Sequence, residues 1–140
     1  MNPSENDEIG QLLKTVRTIA VVGLSDSPMR ASFGVSQYMQ HHGYQIIPVN
    51  PAIKSSLGVP AVATLSDVKE KIDIVDVFRR SEFVADIVDE AIRLKVPAIW
   101  LQEDVINERA AEKARAAGMF VVMDVCILKE HQGRFRQGPR

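Results

Sequence analysis

Five short apolar stretches recur along the chain: Thr18–Val22, Gln45–Val49, residues 73–78, Ala98–Leu101 and residues 120–123. They begin at 18, 45, 73, 98 and 120, giving spacings of 27, 28, 25 and 22 residues. Each run is nearly continuous in β-branched and aliphatic side chains. Such runs suit strands buried on both faces of a parallel sheet, whereas a half-exposed strand would alternate. Spacings of about 25–30 residues are those of strand–helix–strand units.

The segments between these stretches carry helical patterning. Ile9, Leu12, Leu13 and Val16 follow the i, i+3, i+4, i+7 rule of an amphipathic helix, with Ser4 as its expected N-cap. Residues 32–42 form a second predicted helix, closed by Gly43. Residues 66–71 predict a short helical turn. Val84, Ile87, Val88, Ala91 and Ile92 make an apolar stripe through residues 81–95. Residues 107–117 are Ala-rich, with Asn107 as cap and Gly118 as stop. The expected fold is α/β: a Rossmann-like three-layer sandwich with a five-stranded, mainly parallel sheet and right-handed crossovers. Residues 1–131 are expected to be one domain and residues 132–140 a mobile tail. From Lys129 onward four basic residues stand against Glu130, a charge of +3.

Charge and composition narrow the function classes. Of 140 residues, 46% are apolar and 25% charged, and 17 Lys and Arg against 18 Asp and Glu leave a net charge of −1. No broad basic face is expected, so neither nucleic acid nor an anionic membrane is a predicted partner. No apolar run approaches the roughly 18 residues of a membrane span. The acidic start lacks the basic and apolar regions of a signal peptide, so a cytoplasmic location is expected. A lone cysteine, Cys126, excludes an internal disulfide and a thiolate zinc cluster. His41, His42 and His131 have no metal-ligand spacing, so no metal is expected.

In open α/β sheets ligands bind beyond the carboxyl ends of the strands, near the topological switch point. After the first stretch comes Gly23-Leu24-Ser25-Asp26-Ser27-Pro28-Met29-Arg30-Ala31-Ser32, a glycine and a small polar loop opening onto a helix. Such a loop can cradle a phosphate, or be a simple turn with Ser32 as N-cap. It is neither Gly-x-Gly-x-x-Gly nor a P-loop. After the second stretch stand Asn50 and Pro51 where an NAD-binding unit usually carries an acidic residue, and Lys54 follows. After the third come Phe78, Arg79 and Arg80. Cations at a helix start oppose its dipole, so they await either a phosphate or a carboxylate such as Glu82. After the fourth come Gln102 and Glu103, with Trp100 as core or as the wall of a cleft. After the fifth come Asp124 and Cys126, with no His or Asp arrangement that would activate the thiol.

Five of these segments, Val21-Val22-Gly23-Leu24-Ser25, Ile47-Pro48-Val49-Asn50-Pro51, Asp76-Val77-Phe78-Arg79-Arg80, Trp100-Leu101-Gln102 and the run from Gly118 to Cys126, resemble, in this order, small stand-alone CoA-binding proteins. That family is related to the N-terminal CoA-binding domain of the succinyl-CoA synthetase α subunit. The resemblance covers about residues 10–131 and implies coenzyme A or an acyl-CoA held at the carboxyl edge of the sheet. By the same resemblance, Ser25, Asp26 and Ser27, then Lys54, then Leu101, Gln102 and Glu103 would contact CoA. Arg30, Arg79 and Arg80 match the family's arginines. With Gly23, Ser32, Asn50, Pro51 and Phe78 from the strand ends, these form the candidate cofactor-binding set, and no catalytic residue is assigned. Two positions depart from the family pattern: Asp104 stands where relatives usually have Gly, and Val125 where they often have Arg.

The leading expectation is a non-catalytic binder of CoA or acyl-CoA, monomeric or weakly homo-oligomeric. An acyl-CoA-using or NAD(P)-dependent enzyme is the first alternative. The second is a redox or regulatory protein in which Cys126 forms a mixed disulfide with CoA.

Overall fold

The computed structural model describes residues 7–135. In chain order the elements are α1 (Glu8–Thr15), β1 (Thr18–Val22), α2 (Ala31–His41), β2 (Gln45–Val49), β3 (Ser55–Ser56), β4 (Val59–Pro60), β5 (Ile74–Val77), α3 (Val84–Arg93), β6 (Ala98–Leu101), α4 (Glu108–Ala116), β7 (Phe120–Val122) and α5 (Ile127–Phe135). Short 3₁₀ turns at Leu65–Asp67 and Ser81–Phe83 precede β5 and α3. All five apolar stretches become strands of one sheet, in the order β2-β1-β5-β6-β7, and every pairing is parallel. The Rossmann-like α/β fold expected from the spacing is therefore present.

The continuous apolar runs are explained by burial on both faces. One face joins Ala20, Val22, Val75, Val77, Ile99 and Leu101 to Val84, Val88 and Ala91 of α3 and Ala110 and Ala114 of α4. The other joins Ile19, Val21, Ile46, Ile74 and Trp100 to Leu13 of α1, Met39 of α2 and Ile127 of α5. Trp100 is fully buried there and its indole N–H donates to the Val125 carbonyl at 2.8 Å, so it is a core residue. No helix among the described residues is long and apolar enough to cross a membrane.

Three details differ from the sequence expectations. The N-terminal helix is capped by Asp7, whose carboxylate accepts the Gly10 N–H at 3.1 Å; the expected cap, Ser4, lies outside the described residues. A small antiparallel hairpin, β3–β4, stands between β2 and β5, turning through Leu57 and Gly58 at φ of +54° and +76°. The basic segment from Lys129 is not a tail as far as Phe135, because it forms α5. Ile127 and His131 are buried, and Phe135 packs at the same i, i+4, i+8 spacing, so charge counting hid an apolar stripe. The expected domain boundary at 131 falls inside this helix, and residues 136–140 lie outside the described set. Arg134 ties α5 to α1 by a bidentate pair with Asp7, at 2.7 and 2.8 Å. That contact holds the Asp7 carboxyl down at about 2.

Candidate functional site

The order of the strands fixes where a ligand cleft opens. The chain runs from β1 to its neighbour β2, then returns to the other side of β1 as β5. Connections leaving β1 and β5 therefore diverge at their carboxyl ends, beyond Val22 and Val77, which face each other in register. At that point Gly23 adopts a φ of +89° and its N–H donates to the Val49 carbonyl at 2.9 Å. A side chain on Gly23 would be driven into the Phe78 carbonyl oxygen and would meet Arg79 Cδ at 3.0 Å. Only glycine lets the two strand ends come this close.

A cleft of about 450 Å³ opens here, lined by Gly23, Ser25, Arg30, Ala31, Ser32, Asn50, Ala52, Ile53 and Phe78. Its walls are built by local hydrogen bonds. Ser25 N–H donates to Ser32 Oγ at 3.0 Å, Ser27 N–H to Ser25 Oγ at 3.0 Å, and Arg30 N–H to the Ser27 carbonyl at 3.1 Å. Asn50 joins both sides, donating from Nδ2 to the Leu24 carbonyl at 3.0 Å and accepting the Ala52 N–H on Oδ1 at 2.9 Å. Ser56 of β3 is buried and its hydroxyl donates to the Ser25 carbonyl at 2.7 Å. The hairpin thus braces the loop that the sequence singled out.

Electrostatically the cleft is positive. Arg30 is the N-cap residue of α2 but supplies no side-chain cap, and the first turn of α2 carries no acidic residue. The positive end of an 11-residue helix is left uncompensated where Ala31 and Ser32 line the cleft. Arg79 lies against Gly23, its guanidinium stacked 4.1 Å above the Phe83 ring. This stack holds the side chain of Arg79 beside the strand end without neutralising it.

The structure brings Gly23, Ser25, Arg30, Ser32, Asn50 and Phe78 together, with Arg79 adjoining. Asp26, Pro51 and Lys54 are exposed on the loops around them and do not line the cleft. Ser27 sits half-buried in the loop. Arg80 is highly exposed and reaches Glu82 at 3.7 Å, the carboxylate partner considered from sequence. The strand-four trio is dispersed. Leu101 is fully buried, Glu103 pairs with Lys129 at 3.0 Å, and Gln102 turns inward to donate to Asp76 at 2.6 Å. The side chains of Leu101 and Gln102 are thus committed to the interior.

Sequence reasoning did not find Ala31, Ala52, Ile53 or Ser56. An apolar Ile53 inside a polar loop and a Leu57-Gly58 turn between two short extended segments were the available signals. Asp76 was also missed as a chemical group. It is 2% exposed within the sheet, and burial pushes its carboxyl up to about 7 against the opposing hydrogen bonds from Gln102 and the Val77 backbone. Cys126 precedes α5 as a buried free thiol. Among the described residues no cluster of His, Cys, Asp and Glu is arranged to hold a metal ion.

The chain as a whole is similar to known proteins. The chain is 46% identical over 130 residues to YneT of Bacillus subtilis (strain 168), covering 93% of this chain and 96% of that protein. A solved structure from Thermus thermophilus is 37% identical with a TM-score of 0.87, over 96% of this chain and all of the other. A protein from Pyrococcus horikoshii OT3 is 31% identical with a TM-score of 0.88, over 95% and 96% of the two chains. The family model described as a CoA binding domain matches residues 17–132, which includes every strand of the sheet and every residue lining the cleft. With that match and those relatives, the chain belongs to the CoA-binding domain family.

Proposed function

We propose that this protein binds coenzyme A or an acyl-CoA in the cleft between β1, β2 and the start of α2, without turning the ligand over. The observation that carries this reading is the uncapped α2 start with Arg30 and Arg79 beside it, at the point where β1 and β5 part. A pyrophosphate placed there meets backbone N–H groups and two guanidinium groups together. Asn50 supplies an amide in place of the carboxylate that a ribose diol of NAD would use, which argues against the dinucleotide alternative. Binding without turnover is supported by the position of the histidines. All three border a separate pocket at the other edge of the sheet, with Leu13 and Tyr44. The protein in this reading is cytoplasmic and monomeric or weakly homo-oligomeric, and its partner is the small-molecule ligand alone.

Native mass spectrometry of the protein as purified tests the ligand class. The expected result is an adduct with the mass of CoA or an acyl-CoA, restored to a stripped sample by added CoA. A stripped protein that takes up no CoA at millimolar concentration would refute the reading.

A further inference from the structure

Ser56 places a buried hydroxyl where the packing of β3 needs none. It is 4% exposed, and its Oγ donates to the Ser25 carbonyl at 2.7 Å. An apolar side chain would fill the position with no polar group to satisfy. The bond instead reaches from the hairpin to the loop after β1, 31 residues earlier in the chain. It leaves the Ser56 side chain outside the cleft lining while acting on Ser25, which lines it.

The loop is held one peptide unit at a time. The Leu24 carbonyl accepts from Asn50 Nδ2 at 3.0 Å, and the N–H of the same unit, on Ser25, donates to Ser32 Oγ at 3.0 Å. In the next unit the Ser25 carbonyl is fixed by Ser56, while the Asp26 N–H is without a partner among the described residues. A trans peptide is planar, so its C=O and N–H point in opposite directions. Holding the Ser25 carbonyl toward the hairpin therefore turns the Asp26 N–H away from the hairpin. Two further donors stand open nearby. Ala31 and Ser32 are the first two residues of α2, both line the cleft, and Arg30 gives their N–H groups no side-chain cap.

We propose that Ser56 is a positioning residue for the ligand: it locks the Ser25–Asp26 peptide so that the Asp26 N–H joins those of Ala31 and Ser32 in binding a phosphate of CoA. This inference rests on the CoA reading and deepens it. Each backbone N–H on a phosphate is a charge-assisted hydrogen bond, stronger than its neutral counterpart. Without Ser56 the peptide has a second orientation open to it. Flipping the unit rotates φ of Asp26 from its negative value toward the left-handed region, which Asp tolerates better than most residues. The Ser25 carbonyl would then take the side now held by the Asp26 N–H and repel an anion there. The loop sequence allows both orientations, and the Ser56 hydroxyl selects the attractive one.

Ser56→Thr and Ser56→Val test this, because the two side chains share one shape, suit a strand, and differ in the hydroxyl. CoA is titrated calorimetrically into wild type and both variants, and the backbone amide resonances of Asp26, Ala31 and Ser32 are followed by NMR. Wild type and Ser56→Thr are expected to bind alike. Ser56→Val should bind about tenfold more weakly, the size of one lost charge-assisted hydrogen bond. The Asp26 amide proton should move downfield with CoA in wild type and Ser56→Thr but not in Ser56→Val, while Ala31 and Ser32 respond in all three. A merely structural serine would not separate Asp26 from Ala31 and Ser32 in this way. Equal affinities and equal Asp26 shifts in the two variants would overturn the positioning role and leave the CoA reading intact. No CoA binding by wild type would overturn both. If Ser56→Val does not fold, wild type alone decides. An Asp26 amide that stays in place while those of Ala31 and Ser32 move contradicts the proposal.

Discussion

Gly23 packs against Phe78 so closely that a single added carbon on Gly23 would collide with the Phe78 carbonyl oxygen. The contact joins the ends of β1 and β5 where their connections part, and it sets the floor of the cleft. Gly23→Ala is expected to cost about 2–4 kcal/mol, from a left-handed alanine plus displacement of the β5 end. CoA binding should weaken in the same variant because Arg79 moves with Phe78. Urea unfolding and a CoA titration check both effects, and a variant as stable as wild type would show that the strand ends can separate without penalty.

Asp104 and Asp124 form a second linked pair. The backbone N–H of Asp104 donates to the Asp124 carboxylate at 2.8 Å, and both residues are left-handed, at φ of +69° and +63°. Glycine at 104 should change stability by less than about 1 kcal/mol, since Asp tolerates this conformation better than most residues. Asp104→Val should cost about 1–2 kcal/mol, because β-branching forbids it. Chemical denaturation of the two variants side by side distinguishes these outcomes. A valine as well tolerated as glycine would mean that the loop does not need the left-handed turn.

Asp76 gives stability a pH dependence that needs no ligand. Its folded carboxyl titrates at about 7 against an ordinary value of 3.8, so the folded state binds the proton more tightly. The resulting stability is fully present below about pH 4 and is lost as pH rises through 7, on the order of 4 kcal/mol in all. Asp76→Asn keeps the acceptor for Gln102 and removes the charge. Its advantage over wild type should therefore grow between pH 5 and 8, read as the difference in urea midpoint. A constant difference across that range would show that Asp76 is ionised throughout in the folded state.

The cations around the cleft should not be equivalent. Arg30 lines it and Arg79 adjoins Gly23, so alanine at either is expected to weaken CoA binding about tenfold. Arg80 is exposed beside Glu82 and should matter less than about threefold. Affinities measured at one fixed salt concentration test the ranking, because exposed charges are screened by salt. An Arg80 effect larger than that of Arg79 would place the phosphates elsewhere.

Sheet and cleft were both readable from the chain because burial on two faces leaves an uninterrupted apolar run, and five such runs at regular spacing admit few folds. Gly23, Arg30, Ser32, Asn50 and Phe78 were readable for the same reason: they follow strands. The failures have physical causes too. Gln102 sits at a strand end like the others, but it turns inward to satisfy Asp76, and a partner 26 residues away leaves no local pattern. Asp76 itself was hidden inside an apolar strand, where a single charged letter does not break the run. The start of α5 was obscured by flanking charge, although Ile127, His131 and Phe135 carry the helical period. Ser56 was missed because a two-residue strand has no periodicity to detect.

One small polyanion is expected to bind where β1 and β5 part. Isothermal titration of ligand-free protein with CoA, beside Arg79→Ala, tests it most directly. Wild type should show one site per chain, and the variant an affinity about tenfold lower. Binding unchanged by Arg79→Ala, or no binding at millimolar CoA, would contradict it.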